Sequence, residues 1–197
     1  MSSSVQRLIA VTSCKGGVGK STVSFNLARR LAARGHRVGL FDADVQGPSL
    51  PAQLPRALLG EQRVRPAAGG RGVPPLEHEG MKLMSFGFLS RSWNRRGDDD
   101  IRIAGARMCI QLLQTTAWGD LDYLVIDSPP GTGDIPTALA TKVPLHGAVV
   151  VTTANDLSLI DARKGLRMFE KVNVPVLGIV ENMSYFVPPD LPERKYY

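Results

Sequence analysis

The residues with the most chemical content lie in one short run, Ser13-Cys14-Lys15-Gly16-Gly17-Val18-Gly19-Lys20-Ser21-Thr22. Glycines let successive backbone N–H groups curl around an anion, and the residues that follow add an ammonium and two hydroxyls. Such a run is a phosphate cradle. The usual pattern is Gly-x-x-x-x-Gly-Lys-Ser/Thr; here Gly19-Lys20-Ser21 fits, Cys14 stands where the first glycine is expected, and Lys15 is a second lysine. The spacing assigns the backbone of Gly16, Gly17, Val18 and Gly19 to phosphate oxygens, Lys20 to the terminal phosphates, Ser21 to a magnesium ion and Thr22 to a further phosphate hydrogen bond. The implied ligand is ATP with Mg2+. Cys14, with no partner Cys or His at ligand spacing, reads as a small residue filling the loop.

Two sets of carboxylates complement this loop. The run Leu124-Val125-Ile126-Asp127 ends a strand-like segment in an acid that would hold magnesium through water. Ser128-Pro129-Pro130-Gly131-Thr132-Gly133-Asp134 follows, stiff at its prolines and free at its glycines, as suits a loop that senses a terminal phosphate. Asp42 and Asp44 end another apolar run, and either could orient an attacking water; a turn or helix cap is the competing reading.

These residues must be positioned by the elements between them. Leu8 to Val11 reads as a buried strand, Ser21 to Arg34 as a helix stopped by Gly35, and Val38 to Phe41 as a second strand. Pro48 to Pro75 reads as loop and short irregular helix, Met81 to Phe88 as a strand, and Arg95 to Asp100 as an exposed, mobile loop. A helix is expected from about Arg102 to Trp118. Tyr123 to Ile126, Ala148 to Thr152 and Val176 to Val180 read as buried strands, separated by helices near Pro136 to Lys142 and Ser158 to Val172. Strands apolar on both faces and alternating with helices imply an α/β fold with a mostly parallel sheet covered on both faces, its ligand site at the strands' carboxyl ends.

The length of 197 residues suits one domain. The net charge of +6 comes from arginines spread through the chain, which disfavours a nucleic-acid stripe. Two cysteines, Cys14 and Cys109, exclude a disulfide scaffold and fit a reducing compartment. No apolar run reaches the roughly 20 residues of a membrane span.

Together the motifs resemble the Mrp/NBP35 family (ApbC-like, including the HCF101 type), a branch of the deviant-Walker P-loop ATPases of MinD-like, or SIMIBI, fold. They are Cys14 to Thr22, Asp42-Ala43-Asp44-Val45-Gln46-Gly47-Pro48-Ser49, Ile126 to Asp134, and Val180-Glu181-Asn182-Met183-Ser184-Tyr185-Phe186. The resemblance implies a slow ATPase that assembles iron-sulfur clusters, [4Fe-4S] by likeness, and passes them to apoprotein clients. It implies a nucleotide-sandwich homodimer in which Lys15 reaches the partner's phosphates. Asp44 matches the position that activates water, Asp127 the Walker-B carboxylate and Asn182 an adenine-contacting asparagine; Asp156 and Arg163 match the pattern without an assigned role. A cytoplasmic, plastid or mitochondrial-matrix location follows from the same likeness.

One departure stands out. Many family members carry Cys-x-x-Cys where this chain has Pro188-Pro189-Asp190-Leu191, and a carboxylate and prolines do not replace thiolates around iron. The HCF101 type is similar in lacking that pair at this point. The resemblance also implies further strand and helix after Tyr197, so residues 1–197 read as a P-loop ATPase domain without its C-terminal portion. The second reading is a ParA/MinD-type switch that positions DNA or membrane-bound partners, whose phosphate loop would look the same.

Overall fold

The computed structural model describes residues 4–61, 72–89 and 98–197. Its apolar runs pair into a seven-stranded sheet, β1 (Val5–Thr12), β2 (Val38–Asp42), β3 (Leu76–His78), β4 (Met81–Ser85), β5 (Leu121–Asp127), β6 (Gly147–Thr152) and β7 (Val176–Glu181), in the order β3-β4-β2-β5-β1-β6-β7. Every pairing is parallel except β3 with β4. Helices α1 (Lys20–Ala33), α2 (Arg56–Glu61), α3 (Asp98–Thr115), α4 (Asp134–Lys142) and α5 (Asp156–Lys171) fill the connections. The expected mostly parallel α/β architecture is present.

Parallel strands covered on both faces need apolar residues at every position, and β2 meets this with all five residues buried. Phe41 is fully buried and meets Trp118 edge-on, ring centroids 6.4 Å apart. Register sets the site: Asp42 on β2 lies beside Asp127 on β5, and Val11 on β1 pairs with Asp127 from the other side. The carboxyl ends of three central strands therefore converge on one spot, the place where ligands bind open α/β sheets.

Four expectations need correction. The strand expected over Met81–Phe88 stops at Ser85, and Phe86–Phe88 form a 3-10 turn begun by the Ser85 hydroxyl accepting from the Gly87 N–H. β3 was not expected, being three residues with a polar centre. Asp98 to Asp100 open α3 instead of lying in a loop; acidic residues suit a helix's first turn as well as an exposed loop. Residues 62–71 of the Pro48–Pro75 stretch, and Arg95 to Gly97, lie outside the described residues. Finally, β7 is not buried on both faces, since Leu177 and Ile179 are 57% and 55% exposed. β7 is the last strand of the sheet, and α5 packs against it.

The contrast between centre and edge is measurable. Phe41→Ala should lower the unfolding free energy by about 3–5 kcal/mol in chemical denaturation, and Leu177→Ala by about 1 kcal/mol or less. Equal losses would contradict the placement of β7 at the margin.

Candidate functional site

β1 ends at Thr12 and α1 begins at Lys20, so Ser13 to Gly19 form a loop at the sheet's carboxyl edge. Buried Val18 anchors the loop in the core. Gly17 and Gly19 both have φ of 80°, the left-handed region that favours glycine. At Gly19 a side chain is excluded twice, because its Cβ would also run into the Asn182 amide nitrogen. That nitrogen donates to the Val18 carbonyl at 2.9 Å, which locks the residue after β7 onto the loop. A second lock comes from Gly131, whose N–H donates to the Ser13 carbonyl at 2.8 Å.

Below the loop lies a buried charge pair. The Lys20 ammonium donates to Asp127 Oδ1 at 2.5 Å and to the Ser21 hydroxyl at 3.1 Å. Both side chains of the pair are less than a tenth exposed, so the attraction acts at low dielectric and offsets the desolvation of each charge. Ser24, fully buried one turn along α1, places its hydroxyl 2.8 Å from Asp127 Oδ1 and 3.0 Å from the Lys20 carbonyl. Its single proton serves one of these acceptors at a time.

Asp42 and Asp44 have different surroundings. Asp42 is fully buried; its Oδ2 accepts from the Ser49 N–H, the Leu50 N–H and the Ser85 hydroxyl at 2.9, 3.0 and 3.1 Å, and its Oδ1 from the Asp44 N–H at 3.1 Å. Burial pushes its carboxyl up to about 6, and the Asp127 charge adds to the shift against those hydrogen bonds. Asp44 is half-buried, and its Oδ1 holds the Gln46 and Gly47 N–H groups at 3.2 and 2.9 Å. The two acids shared the sequence expectation of orienting water; only Asp44 reaches the cavity, and Asp42 ties the loop together.

That cavity, of about 270 Å3, is lined by the backbone of Gly16, Gly17 and Gly19 and by Lys15, Lys20, Ser21, Thr22, Asp44, Ser49 and Pro130. Lys15 is exposed there, whereas Lys20 is buried. Asp127 lies behind Lys20, outside the lining, and Asn182 sits at the back of the loop with its amide nitrogen on Val18. Arg163 is exposed on α5, and Asp156 opens that helix, whose N-terminus is capped by the Asn155 side chain accepting from the Leu157 N–H at 3.0 Å. Sequence reasoning missed Ser24 and Ser49. Ser24 was findable, four residues after Lys20 and thus on the same helix face.

The donor set fits a hard divalent cation with a polyphosphate. Ser21 and Asp127 offer oxygens already bridged by an ammonium ion, and the loop above presents N–H groups and lysines. Thiolate chemistry is not assembled. Cys109 is buried and its thiol is pushed up to about 12 by burial; Cys14 is raised by burial as well, its Sγ lying 2.7 Å from where a Cβ on Gly165 would be. Cys14 is thus a packing residue between the loop and α5, as expected. Among the described residues no three His, Cys, Asp or Glu side chains form a metal-binding group. No described helix is long and apolar enough to cross a membrane.

The family model described as ParA, NUBPL iron-transfer P-loop NTPase, matches residues 4–197. An iron-sulfur cluster carrier protein of Synechocystis sp. is 47% identical over 195 residues, covering 98% of this chain and 54% of that protein. The chloroplastic Fe-S cluster assembly factor HCF101 of Arabidopsis thaliana is 49% identical over 197 residues, covering 99% of this chain and 35% of that protein. The chain thus spans about half or less of these relatives' length. A nucleotide-binding protein of Archaeoglobus fulgidus, solved in complex with ADP, superposes with a TM-score of 0.78 at 40% identity over 98% of this chain and 72% of that one.

Asp42 makes a pH prediction. Its folded value of about 6 stands above the ordinary 3.8, so the native state holds the proton more tightly than the unfolded chain. The resulting stability is full below about pH 4 and is lost as pH rises through about 6, a change of order 3 kcal/mol. Denaturation of wild type and Asp42→Asn should therefore show the wild type losing ground to the variant between about pH 4 and 7. Parallel curves would contradict the burial of this charge.

Proposed function

The chain belongs to the NUBPL iron-transfer P-loop NTPases, and from that premise we propose that it binds ATP with Mg2+, hydrolyses it slowly, and uses the nucleotide to drive iron-sulfur cluster carriage as a homodimer. The observation that carries this reading is the Lys20 ammonium held between Asp127 and Ser21 at the base of the glycine loop. A cation stands among the oxygens that suit magnesium, directly below N–H groups that suit phosphate.

The roles follow from placement. ATP entering the cavity draws Lys20 off Asp127 toward its terminal phosphates, and the backbone N–H groups of Gly16 to Gly19 take the remaining oxygens. Ser21 and Asp127 would hold Mg2+, which would supply neutralisation of the phosphate charge. Ser24 keeps Asp127 oriented as Lys20 leaves. Asp44, with Oδ1 occupied by its own loop, has Oδ2 to accept the proton of an attacking water. Exposed Lys15 is free to reach a second subunit, where it adds positive charge to the partner's phosphates. Asn182 closes the adenine side with its carbonyl oxygen, its nitrogen being bound to Val18.

The cluster is cargo. The names of the Synechocystis and Arabidopsis relatives support it, and among the described residues no three His, Cys, Asp or Glu side chains come together to hold it. We place this chain as the ATP-driven part of the carrier, with apoproteins as clients and a cytoplasmic or organellar location. Binding energy differs between ATP and ADP states, and that difference is what can drive release of a cargo.

Two substitutions separate the lysines. Lys20→Ala should abolish ATP binding in calorimetry, whereas Lys15→Ala should keep it and lose ATP-dependent dimerisation in light scattering; equal binding losses would remove Lys15 from its role across the dimer. Asp44→Ala should bind ATP within about twofold of wild type while phosphate release falls at least roughly hundredfold. Unchanged phosphate release would assign the water to another residue.

A further inference from the structure

Ser49 carries a hydroxyl oxygen that is buried and has no hydrogen-bond partner among the described residues. Serine at the residue before a helical turn ordinarily turns its hydroxyl onto a backbone N–H of that turn. Ser49 precedes the 3-10 turn Leu50–Gln53 and makes no such bond. Its backbone is nevertheless fixed on both sides of the side chain, since the N–H groups of Ser49 and Leu50 both donate to Asp42 Oδ2 at 2.9 and 3.0 Å. The hydroxyl is therefore held by a rigid frame and left unused by the protein. Burial without a partner is unfavourable for such a group, and a native structure retains it where a ligand, an ion or a bound water supplies the partner.

The location identifies that ligand. Ser49 lines the cavity that holds Lys15, Lys20, Ser21 and Asp44, and it faces the glycine loop from the β2 side together with Asp44. The phosphate-binding glycines Gly16, Gly17 and Gly19 line the same cavity. We propose that Ser49 is a further binding residue of the site, its hydroxyl donating a hydrogen bond to the terminal phosphate–Mg2+ unit of ATP, through a phosphoryl oxygen or a water on the metal. The contact exists with a triphosphate and not with a diphosphate. It couples the Asp42–Ser49 loop, Asp44 included, to the nucleotide state, and it rests on the ATP-binding reading above.

The experiment is calorimetric titration of wild type and Ser49→Ala with a non-hydrolysable ATP analogue and with ADP, with Mg2+ and with chelator, alongside thermal unfolding without nucleotide. Ser49→Ala should melt at the wild-type temperature or higher, bind ADP within about twofold of wild type, and bind the triphosphate roughly ten- to hundredfold more weakly. A defect that persists in chelator identifies a phosphoryl oxygen as the acceptor, and one that vanishes identifies metal-bound water. Equal loss for ADP and triphosphate, loss for neither, or a lowered melting temperature, the sign of a merely structural hydroxyl, would overturn the proposal. Wild type binding neither nucleotide would instead overturn the ATP reading itself.

Discussion

The buried pair of Lys20 and Asp127 is the interaction on which the site depends. Asp127 ends a central strand with neighbours on both sides, so its charge is far from water and needs a cation. Asp42 stands beside it in register on β2 without a salt bridge among the described residues, and burial raises its carboxyl. One ammonium thus serves a spot where two acids converge. The same electrostatics that favour Lys20 there favour a divalent metal once phosphates offer the lysine a better partner.

The loops around this pair are tied to one another. The glycine loop receives the Gly131 N–H from the loop after β5 and the Asn182 amide from the end of β7. The loop after β2 is organised internally by Asp42 and Asp44. A ligand that moves Lys20 therefore acts on a set of segments with shared hydrogen bonds. In the proposed function, this linkage carries the change of shape between nucleotide states.

Much of this was legible in the sequence because it depends on short-range rules. Glycine spacing between an apolar run and a helical period gives the cradle, and an acid ending an apolar run gives Asp127. What was not legible depends on neighbours distant in the chain. Asp42 and Asp44 look equivalent as text, but β2 ends at Asp42, which the register then buries beside β5. The apolar letters of β7 carry no sign that it is the last strand of the sheet. β3 is too short for periodicity, and Ser49, after a glycine and a proline, reads as an ordinary turn residue. Asn182 was matched to adenine by likeness alone, and its hold on Val18 adds a role in fixing the loop.

The central claim is that Lys20 occupies the cation position between Asp127 and Ser21 until nucleotide draws it away. Its most direct test is Mn2+ binding, followed by electron paramagnetic resonance, to wild type and Lys20→Met, each with and without ATP. The account predicts no specific Mn2+ uptake by nucleotide-free wild type, uptake by wild type once ATP is added, and no such ATP-dependent uptake by Lys20→Met. Mn2+ binding to nucleotide-free wild type, or ATP-dependent uptake by Lys20→Met equal to that of wild type, would contradict it.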